Sequence, residues 1–437
     1  MSNDARTSSV RAERERAITA AVRQELINQE QPVVGLLNLT GVRRTAAELH
    51  AAFTFPGVDV LHTFAVKAAA LVPVLRHLAR EGVGAEVASP GELAIARAAG
   101  IPAPHIVLDS PAKTETELKE ALAAGIAINA DNPQELSRID ALVRRAPTTS
   151  PIGVRVNPQV GGGSIGAMST ATATSKFGVA LRDEGAEEWI VQAFLQRPWL
   201  TRLHTHTGSQ GMPLTLMAEG IATAYTLAEK INAAAGRQQI TVLDIGGGLP
   251  VNFSSDETKP SFRTYAQTLQ TAVPGLFGGR YGIVTEFGRS LVAKQGVVLA
   301  RVEYAKSAGD RAIAVTHAGA HIATRTVFAP ESWPLRVEAR DASGNPKTGQ
   351  KVPQDVAGPC CFAGDLVARD RPLPLLEQGD LVALLDTGAY YFSNHFAYNS
   401  LPRPAVYGYT TGAADSVHFE ILRKPQTLDQ LVAESGG

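Results

Sequence analysis

The sequence predicts an α/β protein, a (β/α)8 barrel of the TIM type joined to a mainly β C-terminal domain. Three observations carry this expectation. β-rich runs alternate with helical ones between about residues 59 and 288. After Gly288 the alternation gives way to β runs alone. A chain of 437 residues is also too long for one ordinary core.

The strand candidates are Asp59–Val66, Gly84–Ser89, His105–Ser110, Ala127–Asp131, Ile152–Pro158, Thr201–Ser209, Thr241–Gly246 and Gly282–Phe287. Helical spacing follows most of them, at Leu71–Arg80, Pro90–Ala99, Lys113–Ala124, Pro133–Arg145 and Leu214–Ala235. Ser89-Pro90 and Asn132-Pro133 pair a capping residue with a first-turn proline. Gly82, Gly100, Gly125 and Gly236 stand where helices end. Eight units in about 230 residues favour a closed barrel over an open doubly wound sheet, although periodicity alone leaves both open. Val160–Ser175, rich in Gly, Ser and Thr, reads as a mobile active-site loop. Beyond the barrel, Val297–Tyr304, Ala312–Thr316 and Leu381–Leu385 read as strands and Arg340–Thr348 as a hairpin turn. The expected organisation is an N-terminal helix and strand (1–35) packed with the β domain, a barrel (36–288) and the β domain (289–437).

Composition excludes several classes. The chain is 44% hydrophobic and 19% charged, as globular proteins are. Lys and Arg number 41 against 42 Asp and Glu, so the bulk charge attracts neither nucleic acid nor an anionic membrane. The polar N-terminus, amphipathic around Arg11 to Leu26, lacks the apolar stretch of a signal peptide. No run approaches the roughly 20 apolar residues of a membrane span. Cys360 and Cys361 are adjacent, a poor geometry for a disulfide and no zinc spacing. A cytoplasmic setting is expected.

The chemistry should sit where barrel enzymes keep it, at the C-terminal ends of the strands. The first strand ends in Lys67. A water-poor setting there would lower its pKa and suit it to Schiff-base formation, although an isolated lysine at a strand end is usually just solvated. The sixth strand ends in His204-Thr205-His206-Thr207-Gly208-Ser209-Gln210, the seventh in Asp244-Ile245-Gly246-Gly247-Gly248 and the eighth in Glu286-Phe287-Gly288-Arg289. Three glycines leave backbone N–H groups open to an anion, with Arg289 adding charge. No Gly-x-Gly-x-x-Gly follows the first strand and no Gly-Lys-Ser/Thr loop exists. No metal is expected, because neither His204 nor His317 has partners at ligand spacing.

In order along the chain, these motifs resemble the fold-type III pyridoxal-phosphate (PLP) decarboxylases, the group of diaminopimelate, ornithine and arginine decarboxylases, with the first as the nearest pattern. The resemblance runs from about Val33 to Tyr407. It rests on Phe64-Ala65-Val66-Lys67-Ala68, Glu86–Leu93, Lys176-Phe177-Gly178, the three strand-end motifs, Gly358-Pro359-Cys360-Cys361 with Asp365, Gly388-Ala389-Tyr390, and Asn399 with Pro402-Arg403-Pro404. It implies that Lys67 carries PLP, that His206 stacks on its ring and that Glu286 pairs with the ring nitrogen. It further implies that Ser209, Gly247, Gly248, Gly288, Arg289 and Tyr390 surround the phosphate. Cys361, rather than Cys360, would be lent by a partner subunit to protonate the carbanion, so a homodimer is implied.

Departures from the pattern bear on the substrate. Glu86 stands where the family usually has Asp, and Phe287 where it has Pro, which reads as a backbone adjustment at the phosphate loop. Phe362 follows Cys361 where diaminopimelate decarboxylases carry Glu. Arg325-Thr326 replaces their Arg-Pro, while Phe328 and Ala329 stand near the place of a missing tyrosine. Arg289 and Arg325 remain as clamps for a distal carboxylate, with Phe362 and Tyr398 as further substrate contacts. The expectation is a substrate with a distal carboxylate or acidic tail rather than diaminopimelate. The alternatives are diaminopimelate decarboxylase proper, a racemase on the same fold and a catalytically silent relative.

Overall fold

The computed structural model describes residues 3–412 and 416–437. Eight parallel strands form a closed barrel: β1 (Val60–Ala65), β2 (Gly84–Val87), β3 (Ile106–Leu108), β4 (Ala127–Ala130), β5 (Ile152–Asn157), β6 (Leu200–His204), β7 (Val242–Asp244) and β8 (Gly282–Phe287). Closure comes from parallel pairing of β8 with β1, from Ile283↔Val60 to Phe287↔Phe64. That pairing decides for the barrel over the open sheet.

Local chemistry sets the helices between the strands. Ser89 and Asn132 accept hydrogen bonds from Glu92 N–H (3.2 Å) and Glu135 N–H (3.0 Å), capping Pro90–Ala98 and Pro133–Arg145. Leu214–Ala235 ends on left-handed Gly236. Seven of the eight observed strands are shorter than the β-rich runs, because the residues past their C-terminal ends turn away from the ladder, while β8 matches its run. Those residues form the rim.

The chain divides into two compact units, Thr45–Val251 with Lys259–Leu291, and Met1–Arg44 with Asn252–Thr258 and Val292–Gly437. The second unit therefore takes in a short excursion from the barrel, 252–258, that no sequence signal marked. Its sheet runs in the order Leu366–Pro374, Lys351–Ala357, Arg311–Thr316, Gly296–Ala308, Val33–Asn38, Ala405–Thr411 and Val417–Arg423. Leu381–Leu385 pairs with Gly296–Ala308 and with Val337–Arg340. Helix Asn3–Arg23 packs Ala17, Ile18 and Ala21 against Val34, Leu36, Val297 and Leu299 of this sheet. The turn read at Arg340–Thr348 is present, with Asp341 accepting from Ser343 and Asn345 N–H, both at 2.9 Å. Among the described residues no helix is long and apolar enough to cross a membrane.

Candidate active site

Lys67 lies in a short 3-10 turn, Val66–Ala68, immediately after β1. Its ammonium meets the Glu86 carboxylate of β2 at 2.7 Å. The water-poor setting expected for Lys67 is not found: its side chain is 49% exposed while that of Glu86 is 1% exposed. The turn lifts the lysine off the strand into the mouth of the barrel, and the buried member of the pair is the acid. Burial pushes the Glu86 carboxyl up, with Lys67 opposing. The extra methylene of Glu over Asp gives this carboxylate the longer reach.

Charged groups span the barrel interior beneath that pair. Arg155 of β5 donates to Asp109, just past β3, at 2.9 Å. Asp109 lies 3.4 Å from Nδ1 of His204 at the end of β6, and Nε2 of His204 lies 3.6 Å from Glu286 of β8. Asp244 of β7 accepts from Arg202 and from Asn129 of β4, both at 3.1 Å. Asp244 thus braces neighbouring strands, as Glu92 does by accepting Ala88 N–H at 2.7 Å. The sequence reading gave His204 no partners. In space, Asp109, His204 and Glu286 offer ligand-type atoms within 4.8 Å of one another. Arg155 neutralises one end of this set and His204 lies between the two acids, so we read it as a ladder of alternating charge.

The remaining rim residues converge on the glycines after β7. His206 is partly buried, and its Nδ1 accepts the Gly247 N–H at 3.0 Å. Burial first, then Arg155 and Lys67, hold its pKa well below the ordinary range, so the ring is neutral. A Cβ on Gly247 would run into the Glu286 carbonyl, and one on Gly248 into that of Gly208, beside Ser209. A Cβ on Gly288 would lie 3.0 Å from Ala65 and Ala68, which flank Lys67. Arg289 opens the turn after β8 and is 4% exposed. Lys67, His206, Ser209, Gly247, Gly248, Glu286, Gly288 and Arg289 therefore all lie in the barrel unit, at one end of its strands. The loop 160–175 is docked on this segment, with Met168 C=O accepting Ser209 N–H at 3.0 Å and Thr170 donating to His206 C=O. Phe287 adjusts no loop. It is fully buried at the end of β8 among Phe53, Phe262 and Tyr265.

Residues 39–293 match the family model described as "Pyridoxal-dependent decarboxylase, pyridoxal binding domain". The chain belongs to this family. It is an α/β PLP-dependent decarboxylase, similar to the diaminopimelate decarboxylases of Pseudomonas aeruginosa (32% identical over 86% of each chain) and Aquifex aeolicus (29%, also 86% of each). Among solved structures it resembles Helicobacter pylori diaminopimelate decarboxylase complexed with L-lysine, with a TM-score of 0.81 at 27% identity, covering 95% of this chain and 100% of that one. It also resembles the M. jannaschii enzyme in co-complex with L-lysine, with a TM-score of 0.82 at 25% identity, covering 96% and 94%.

The other sequence-read residues of this decarboxylase, Arg325, Cys361, Phe362, Tyr390 and Tyr398, lie in the β unit. Asp365 fixes the cysteine register by accepting Cys360 N–H at 2.7 Å and Ala320 N–H at 2.6 Å. Cys360 consequently faces inward, where burial pushes its thiol up to about 11, and Cys361 is exposed. Cys361 N–H donates to Asn399 at 2.8 Å. Phe362 stacks on Phe328 (5.6 Å between centroids) and meets the Tyr398 ring edge-on at 5.4 Å. The Arg325 guanidinium sits over Tyr390 (4.4 Å) and Trp333 (4.9 Å).

Proposed function

We propose that this decarboxylase holds PLP at Lys67 and removes the α-carboxyl group of an amino acid of the diaminopimelate type. One observation carries the site assignment. On the same rim as Lys67 and the glycine cradle, the Glu286 Oε1 is buried without a hydrogen-bond partner among the described residues. A bare carboxyl oxygen in such a place wants a donor, and a protonated pyridine nitrogen is one. The glycines leave N–H groups for a phosphate, and Lys67 supplies the amine that an aldehyde requires. Bound there, PLP would supply an electron sink for the pair left behind by CO2.

The chain's own groups divide the remaining work. His206, neutral and hydrogen-bonded through Nδ1, presents a flat face for the cofactor ring. Glu286 holds the proton at the ring nitrogen, which speaks for decarboxylation over racemisation, where a weaker sink is required. Glu86 receives the Lys67 ammonium whenever that amine is released. Ser209, Gly247, Gly248, Gly288 and Arg289 surround the phosphate. Cys361 Sγ, exposed and held by the Asp365 register, carries the proton that replaces CO2 in the site of a partner subunit, making the working form a homodimer.

For the substrate, the named relatives favour diaminopimelate over the purely acidic tail expected from Phe362. Diaminopimelate also has a carboxylate at its far end, which suits an arginine clamp as well as the acidic tail does. The aromatic setting of Phe362, without the carboxylate that would read a distal ammonium, favours the second reading, an amino acid with a distal carboxylate and no distal ammonium. CO2 release from meso-diaminopimelate, compared with acidic amino acids lacking the second ammonium, separates the two. Lysine formation at the higher kcat/KM supports the first. Preference for the acidic set supports the second, and no CO2 from any amino acid contradicts both.

A further inference from the structure

We propose that His204 is a positioning residue for Glu286: seated between Asp109 and Glu286, it ties the cofactor-facing carboxyl to the buried ladder Arg155–Asp109–His204–Glu286 and so sets the charge that the ring nitrogen meets. The inference deepens the proposed function and rests on that reading of Glu286. His204 is fully buried, and among the described residues neither ring nitrogen has a closer polar partner than the two carboxylates, at 3.4 and 3.6 Å. A neutral imidazole has one N–H and one lone pair, so one of its nitrogens would face a carboxylate lone pair against lone pair. Where both carboxyls are ionised, two acceptors, one on each nitrogen, are satisfied only by the doubly protonated ring.

The charged groups around the ring come from four other strands and bias it the same way. Asp109, Asp244 and Glu286 are acids, Arg155 is paired to Asp109, and His206 two residues on is neutral. Burial opposes a charged His204, but Asp109, Glu286 and Asp244 outweigh it and hold its pKa up to about 10. Burial likewise opposes the Asp109 anion, yet His204 and Arg155 keep that carboxyl well below its usual range. Burial, with Asp244, pushes Glu286 up to about 8, and His204 is the cation that limits the rise. The ring faces Glu286 Oε2 at 3.6 Å, and among the described residues Oε1 has no hydrogen-bond partner. Without this cation Glu286 would rise further and stay neutral to higher pH. A neutral carboxyl donates to a pyridine nitrogen instead of accepting from it, and the electron sink weakens.

The test uses full-length protein loaded with PLP. In His204→Gln the pH midpoint of the cofactor's visible absorbance band should shift by about one unit or more, and kcat should fall at least about tenfold with KM nearly unchanged. Asp109→Asn should shift the midpoint in the same direction, and the double variant should add little. A His204→Gln protein with the wild-type midpoint and kcat, whatever its Tm, would overturn the proposal. A second measurement needs neither cofactor nor folded variants. Nitrogen-15 NMR of histidine-labelled wild-type protein should show one buried imidazole still doubly protonated at pH 8. Its absence would defeat the ladder even if PLP binds at Lys67. Absence of any cofactor band in wild type would instead defeat the reading on which the proposal rests.

Discussion

Lys67, half exposed, and Glu86, buried, form an ion pair on the rim, and a methylene or a charge changed there should be felt directly. Glu86→Gln removes the carboxylate that receives the Lys67 ammonium at 2.7 Å. It should retain PLP but lower kcat about tenfold or more, measured by CO2 release. Unchanged kcat would reduce Glu86 to a structural acid. A second residue-scale consequence concerns His62, buried on β1 with Nδ1 2.8 Å from the Thr285 hydroxyl. Burial, then the nearby charge of His50, pushes its pKa from 6.5 to about 3. The folded state thus keeps His62 neutral where the unfolded chain protonates it. Stability from this residue is full above about pH 6.5 and drains as pH falls toward 3, by at most about 1.4 kcal/mol per unit. Urea denaturation at pH 7 and pH 5 should show wild type losing more stability than His62→Gln, and equal losses would contradict the assignment. Lys67 and Glu286 were legible because each follows an apolar stretch at a strand end, and His206 because it belongs to the strand-end motif His204–Gln210. Asp109, Arg155 and the role of His204 were not, because their contacts cross the barrel between β3, β5, β6 and β8, which sequence order keeps apart.

The elements that hold these residues depend on a few backbone conformations. Gly248 has φ +91°, and a Cβ there would strike the Gly208 carbonyl. Gly248→Ala should cost about 1–3 kcal/mol and weaken PLP binding about tenfold or more, read by thermal unfolding and cofactor titration. Asn132→Ala offers the contrast. It removes a cap from Pro133–Arg145 and should cost about 1 kcal/mol while leaving cofactor affinity alone. Equal effects of the two on PLP binding would show that affinity tracks stability and not the cradle. Helix starts and ends were legible wherever a capping side chain or left-handed glycine marked them. Strand ends were overread, because the motif residues that follow each strand continue it in sequence after pairing stops, as at Thr205–Ser209. Phe287 misled for a related reason: a large residue in a motif looked like loop chemistry, but its ring belongs to the core with Phe53 and Tyr265.

At the scale of the molecule, the barrel was legible because eight β-rich runs in so short a stretch leave few other architectures, and closure needed only the β8–β1 register. The 252–258 excursion into the β unit was not, since it carries no periodic signal. The shared-site reading makes a collective prediction. Lys67→Ala and Cys361→Ala should each be nearly inactive, yet mixing them with subunit exchange should restore about a quarter of wild-type activity, as expected when half the dimers are mixed and each has one intact site. No recovery would place both residues in one subunit's own site. The measurement closest to the central claim is chemical. The PLP-loaded protein, reduced with borohydride to fix its C=N linkage and then digested, should carry the cofactor's mass on the peptide containing Lys67. Label on another lysine, such as Lys113, Lys176 or Lys294, or on none, would contradict the site described here.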